Sequence, residues 1–153
     1  MLKRINNTIF MSDGEYQCTW RKDCTAHDAA QKALDTAQEE YDAAQEAYDN
    51  AQALRDELKQ EKENVQQMYN NYTKVYDSLM ACDSGIANPN NMGDNGLGGT
   101  IDCLSKYGQN VDSAYQQAQN EADRCRDVRN LKARQLRAAR ETLANTPCVD
   151  VCD

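Results

Sequence analysis

Phenylalanine, tryptophan and histidine occur once each, as Phe10, Trp20 and His27, and proline only at Pro89 and Pro147. A single histidine in a repetitive chain leaves no serine–histidine–acid or cysteine–histidine set for acid–base or nucleophilic chemistry, so no enzyme is expected. No apolar run approaches the ~20 residues that cross a bilayer, which excludes a membrane span. Large aliphatic residues are scarce as well, and Ala, Gln, Asp, Glu and Tyr take their place. That mixture suits a narrow contact between two helices better than a thick globular core. Positive charge is in deficit, 17 Lys and Arg against 25 Asp and Glu, for a net charge of −8. This balance argues against nucleic acid as a main partner.

Glycine is missing between Gly14 and Gly85, and the residues inside that window repeat every seven. Ala30-Gln31-Lys32-Ala33-Leu34-Asp35 is echoed by Ala37-Gln38-Glu39-Glu40-Tyr41-Asp42, then by Ala44-Gln45-Glu46-Ala47-Tyr48-Asp49. With Leu34, Tyr41 and Tyr48 at heptad position a, Ala30, Ala37, Ala44 and Ala51 fall at d. The d row continues as Leu58, Val65, Tyr72 and Leu79. Arg55 and Lys62 interrupt the a row, and Leu54, Met68 and Val75 are expected to take over, so that the seam drifts round the helix. Thr25 followed by Asp28 offers a capping-box-like start. The pattern predicts a helix over 25–82, roughly 85 Å long at ~1.5 Å per residue.

Residues 83–99 are rich in Gly and Asn and read as a loop. Thr100 is the expected N-cap of a second helix, 100–145, with the seam Ile101, Leu104, Gly108, Val111, Tyr115, Ala118, Ala122 and Cys125. Val128, Leu131, Leu136, Ala139 and Leu143 extend it less regularly, and Pro147 limits its end. The first helix is acidic from Asp28 to Glu57, and the second is basic from Arg124 to Arg140. Folding back at the loop sets these blocks side by side, and reflection about the loop brings Tyr69, Tyr72 and Tyr76 towards Tyr107 and Tyr115. The fold class expected is all-α: a long antiparallel two-helix coiled-coil hairpin (25–145) with short irregular termini, 1–24 and 146–153.

Seven cysteines are many for a chain whose N-terminus lacks a signal peptide's apolar core, a feature that points to cytoplasmic synthesis. Cys82 and Cys103 flank the loop symmetrically and are candidates for a disulfide staple. Cys18 and Cys24 precede the first helix and Cys148 and Cys152 follow the second, so all four gather at the open end. They can pair within each segment or across the termini. Cys125 reads as a small packing residue. A zinc site from Cys18, Cys24, His27, Cys148 and Cys152 is the sharper alternative, but C-x5-C-x2-H and C-x3-C are not knuckle spacings, so no metal is expected. The loop fails the calcium template, because Met92 stands at a ligand position and no Glu closes it. Its glycines lack the strand and Gly-Lys-Ser/Thr context of a phosphate loop, so no cofactor is expected.

Ala33, Ala47 and Ala53 lie off the seam, and the arm adds Leu2, Ile5, Ile9 and Phe10, which a bare hairpin cannot bury. These four are the candidate docking residues, and other protein subunits of a larger assembly are the expected partners. Cytoplasmic synthesis combined with many cysteines is what a minor capsid or cement protein of a large virion would show, which suggests the virion as its location. A secreted helical hairpin of the type VII kind is one rival, although Trp20 precedes the first helix and the usual Trp-x-Gly turn is missing. An intracellular coiled-coil adaptor with reduced thiols is another.

Overall fold

The computed structural model describes residues 3–5, 8–10, 17–82 and 96–152, with side chains over 19–81 and 96–152. Two long helices, α1 (Thr25–Cys82) and α2 (Leu97–Ala144), pack against each other as a hairpin. Short strands precede and follow them: β1 (Lys3–Ile5), β2 (Thr8–Phe10), β3 (Gln17–Asp23) and β4 (Val149–Cys152). They form one antiparallel sheet in the order β1-β2-β3-β4. The termini are therefore not irregular. β4 lies along β3, with Asp23 opposite Val149 and Trp20 opposite Cys152.

The first helix occupies the predicted span, but its cap differs. Asp23 Oδ1 accepts the Thr25 N–H at 2.9 Å, and the Cys24 carbonyl accepts the first helical bond from Asp28 at 2.8 Å. The capping oxygen thus comes from Asp23, outside the helix, rather than from Thr25. Thr100 is likewise no cap, since its N–H and hydroxyl both donate to the Gly96 carbonyl from within the first turn of α2. At the other end, Asn145 and Thr146 donate to carbonyls of the last turn, and Pro147 follows.

The chain divides into two compact units, residues 1–44 with 129–153, and residues 45–128. In the first, Ala30 and Leu136 are buried. Lys132 reaches Glu40 at 2.8 Å, and Arg140 donates to the side-chain Oε1 of Gln38 at 3.1 Å. In the second, Val65, Val111, Ala118 and Ala122 form the core. Every predicted seam residue of α2 from Ile101 to Cys125 is buried or half-buried.

On α1 the seam does not change rows as expected. Leu54, Met68 and Val75 are 52%, 42% and 52% exposed. The a row itself persists through Arg55, Lys62, Tyr69 and Tyr76. Arg55 turns its guanidinium to Asp56 at 2.7 Å, and Lys62 binds Asp112 with its ammonium 5.4 Å from the centre of the Tyr115 ring. Long aliphatic stems let these two cations stay beside the seam while their charged ends reach polar partners. Polar residues at a positions of this kind fix register.

That register departs from reflection about the loop. A Cβ added at Gly108 would lie 3.5 Å from Val65 Cγ1, so the two backbones stand level there. Counting in opposite directions from this contact, Cys103 is level with about Asn70, and Leu97, the first residue of α2, with about Tyr76. Tyr107 is level with about Gln66, not Tyr76, and its hydroxyl donates to Glu61 at 3.0 Å. Tyr115 stands near Leu58 and not near the tyrosine cluster. The contact at Val65, rather than the midpoint of the loop, sets the alignment.

Gly108 tests this packing directly. Gly108→Ala should stabilise by roughly 0.5–1 kcal/mol, because the helix interior gains a better helix former and the added methyl meets Val65 at ordinary contact distance. Gly108→Leu should destabilise by roughly 1–3 kcal/mol, because Val65 is only 2% exposed and cannot yield the volume. Urea denaturation of the two variants against the parent checks both signs.

Candidate interaction sites

The first cluster lies where the chain ends meet. Cys24, between β3 and α1, is bonded to Cys148, between α2 and β4, with Cα atoms 4.3 Å apart. Of the pairings open at the sequence level, this one joins the termini. It also takes up two thiols of the alternative zinc set. Cys152 is disulfide-bonded as well. The side chains of Cys18 and Cys82, like the docking residues Ile5, Ile9 and Phe10, fall outside the described side chains, and Leu2 falls outside the described residues. The backbones of Ile5, Ile9 and Phe10 run in the sheet of their own chain.

The staple from Cys82 to Cys103 is not formed: Cys103 is a free, exposed thiol. The shifted register explains this. Level with about Asn70, Cys103 stands twelve residues, roughly 18 Å along the axis, from Cys82, whereas a disulfide needs Cα atoms within ~4.4–6.8 Å. Cys103 also sits between seam positions Ile101 and Leu104 and so points off the interhelical face.

Around the Cys24–Cys148 bond, Thr25, Ala26, Ala29, Thr146, Pro147 and Val149 line an open hollow of about 470 Å³. Val149 is 53% exposed. Trp20 has a buried Nε1 that lacks a hydrogen-bond partner among the described residues. His27 sits in the first turn, 3.5 Å from Asp28, and no group of three or more metal-ligating side chains occurs among the described residues.

The titrating groups that depart from their ordinary values all do so for local structural reasons. Hydrogen bonds from the Thr25 backbone and hydroxyl hold the Asp23 carboxyl low. The bond to Asp112 raises Lys62, and the bond from Arg124 lowers Glu121. Burial, followed by the neighbouring Glu121, raises the Cys125 thiol, the opposite of what an activated nucleophile requires.

The charge blocks are satisfied mostly within their own helices. Gln31, Gln38 and Gln45 donate to Asp35, Asp42 and Asp49, each four residues on, at 2.8–2.9 Å. Arg124 pairs with Glu121 and Arg126 with Asp123. Lys132–Glu40 is a cross-helix pair of the expected kind.

The third feature is apolar. On α1, Met68, Tyr72, Val75 and Leu79 recur at steps of four, three and four, and are 42%, 41%, 52% and 42% exposed. Heptad spacing had marked these residues as seam, but the packed seam of α1 runs through Val65, Tyr69 and Tyr76 instead. No helix of the described chain is long and apolar enough to cross a membrane. No protein-family model, curated protein or solved structure matches the chain.

The clasp and the cap give two expectations. The Cys24–Cys148 bond closes a loop across a separation of 124 residues, for which the chain-entropy model assigns about 5 kcal/mol. Cys148→Ser should therefore lower the melting temperature steeply while leaving the helical circular dichroism signal at low temperature. Asp23→Ala should lower it as well at neutral pH. Because the folded Asp23 carboxyl is held low, its stabilisation is complete above the unfolded carboxyl range and is lost as pH falls through the folded value. The gap between variant and parent should close in acid, and a pH-independent gap would contradict the capping role.

Proposed function

We propose that the chain is a non-enzymatic structural protein, a helical-hairpin strut or clamp held between other protein subunits of a larger assembly. A minor capsid or cement protein of a large virion is the setting that best matches its chemistry. One observation carries this reading: four core-type residues at heptad spacing on α1 stand 41–52% exposed, in a chain with only thin packing of its own. An apolar row at a/d-like spacing is the signature of a helix awaiting a partner surface. The Cys24–Cys148 bond favours an oxidised particle or a secreted protein over an intracellular adaptor, whose thiols stay reduced. A secreted helical hairpin is the second reading, and it draws on the same bond. Neither reading calls for nucleic acid, and within the basic stretch of α2 Arg124, Arg126 and Lys132 pair with acids nearby.

Native purification decides between them. Under the first reading the chain should co-purify with a fixed set of subunits, and non-reducing peptide mapping should recover the Cys24–Cys148 peptide pair. Deletion of residues 1–11, which removes β1 and β2, should leave the helical signal intact but weaken incorporation into the particle. A truncated chain that is incorporated as well as the full one would remove the arm's docking role. Free Cys24 and Cys148 thiols in protein from its native source would favour the adaptor.

A further inference from the structure

We infer that the exposed row Met68, Tyr72, Val75 and Leu79 is a self-association face, on which a second copy of this chain lays the same row antiparallel. The inference rests on the interaction-protein reading above and names the partner.

The row lies roughly 70° around α1 from Val65, Tyr69 and Tyr76, which face α2. It is therefore adjacent to the packed seam without being part of it. Met68, Tyr72 and Val75 turn off the interhelical face, and Leu79 lies beyond the start of α2, which is level with about Tyr76.

Two observations select a second copy as the occupant. The first is the spacing: steps of four, three and four read the same in both directions. A two-fold axis midway between Tyr72 and Val75 then sets Tyr72 against Val75 of the other copy, and Met68 against Leu79. This is the self-complementary arrangement that an isologous contact requires. The second is charge. Two copies of net charge −8 repel, and α1 from Asp28 to Glu63 is heavily acidic. From Asn64 to Leu79, however, Lys74 and Asp77 are the only charged side chains and cancel, and from Leu97 to Val111 Asp102 and Lys106 cancel too. Here a like-charged copy can approach without a large repulsive cost. Asn64, Asn71 and Ser78 border the row and supply a neutral polar rim, as an interface between soluble chains needs.

Sedimentation equilibrium of the purified, oxidised full-length chain over ~1–200 µM tests this. The mass should rise from 17.2 kDa towards twice that value. Tyr72→Lys alone and Val75→Glu alone should each weaken the dimer by about tenfold or more, which corresponds to ~1.4 kcal/mol. Both sites are solvent-exposed, so helicity by circular dichroism should not change; the milder Met68→Gln should act in the same direction. The combined Tyr72→Lys, Val75→Glu chain should recover dimerisation, because the antiparallel pairing sets each new lysine against a new glutamate. A parent chain that stays at 17.2 kDa throughout, a dimer indifferent to the single substitutions, or no recovery in the combined variant would each overturn the inference. No other subunit is present in this experiment, so its failure would leave the assembly reading to native co-purification.

Discussion

Everything in this structure depends on a close approach of two backbones along a seam of small side chains. Ala30, Ala118 and Ala122 are buried, Gly108 meets Val65, and Val65, Val111 and Leu136 are the larger residues that are buried with them. Such a seam buries little area per residue, so the net gain after ordering more than a hundred residues is small. That constraint explains why so much else is devoted to local helix support and alignment. Gln–Asp pairs brace the exposed side of α1 at successive heptads. Lys62 with Asp112 and Tyr115 marks the register. The Cys24–Cys148 bond limits the freedom of the unfolded chain.

Much of this was readable from residue order. The seven-residue repeat and the gap between Gly14 and Gly85 set the limits of α1, and steps of three and four located the seam of α2 down to Cys125. The capping oxygen of Asp23 is hard to read from the sequence, because an aspartate two residues before the first helical N–H competes with a plausible Thr25–Asp28 box. Only the geometry shows which oxygen accepts. The sheet escaped notice because its strands are three to seven residues long, too short for an alternating pattern to stand out. Moreover, β3 and β4 pair across more than a hundred residues, so no local signal announces them.

The candidate sites were legible in a different way. The four cysteines near the chain ends were expected to gather, and Cys24 and Cys148 do meet. The loop-flanking pair failed because symmetry about a loop is a statement about sequence, whereas register is decided by side-chain volume along the seam. The same error assigned Tyr107 to Tyr76. Heptad arithmetic also overcounted the seam, since it cannot tell a residue packed on its own hairpin from one kept for another surface. Tyr72 and Leu79 obey the repeat as well as Val65 does, yet only Val65 is buried.

The position of the Cys24–Cys148 bond has a mechanical consequence. Any tension applied at the two chain ends enters the protein just outside α1 and α2, where the covalent link already joins the two sides. The load then passes through two sulfur atoms, and the 124-residue span behind them carries none of it. Pulled from its ends, the oxidised chain can lengthen at most by what the segments before Cys24 and after Cys148 allow, and the further bond of Cys152 restrains β4 as well. The paired helices stay slack under a force that would otherwise unzip them one turn at a time.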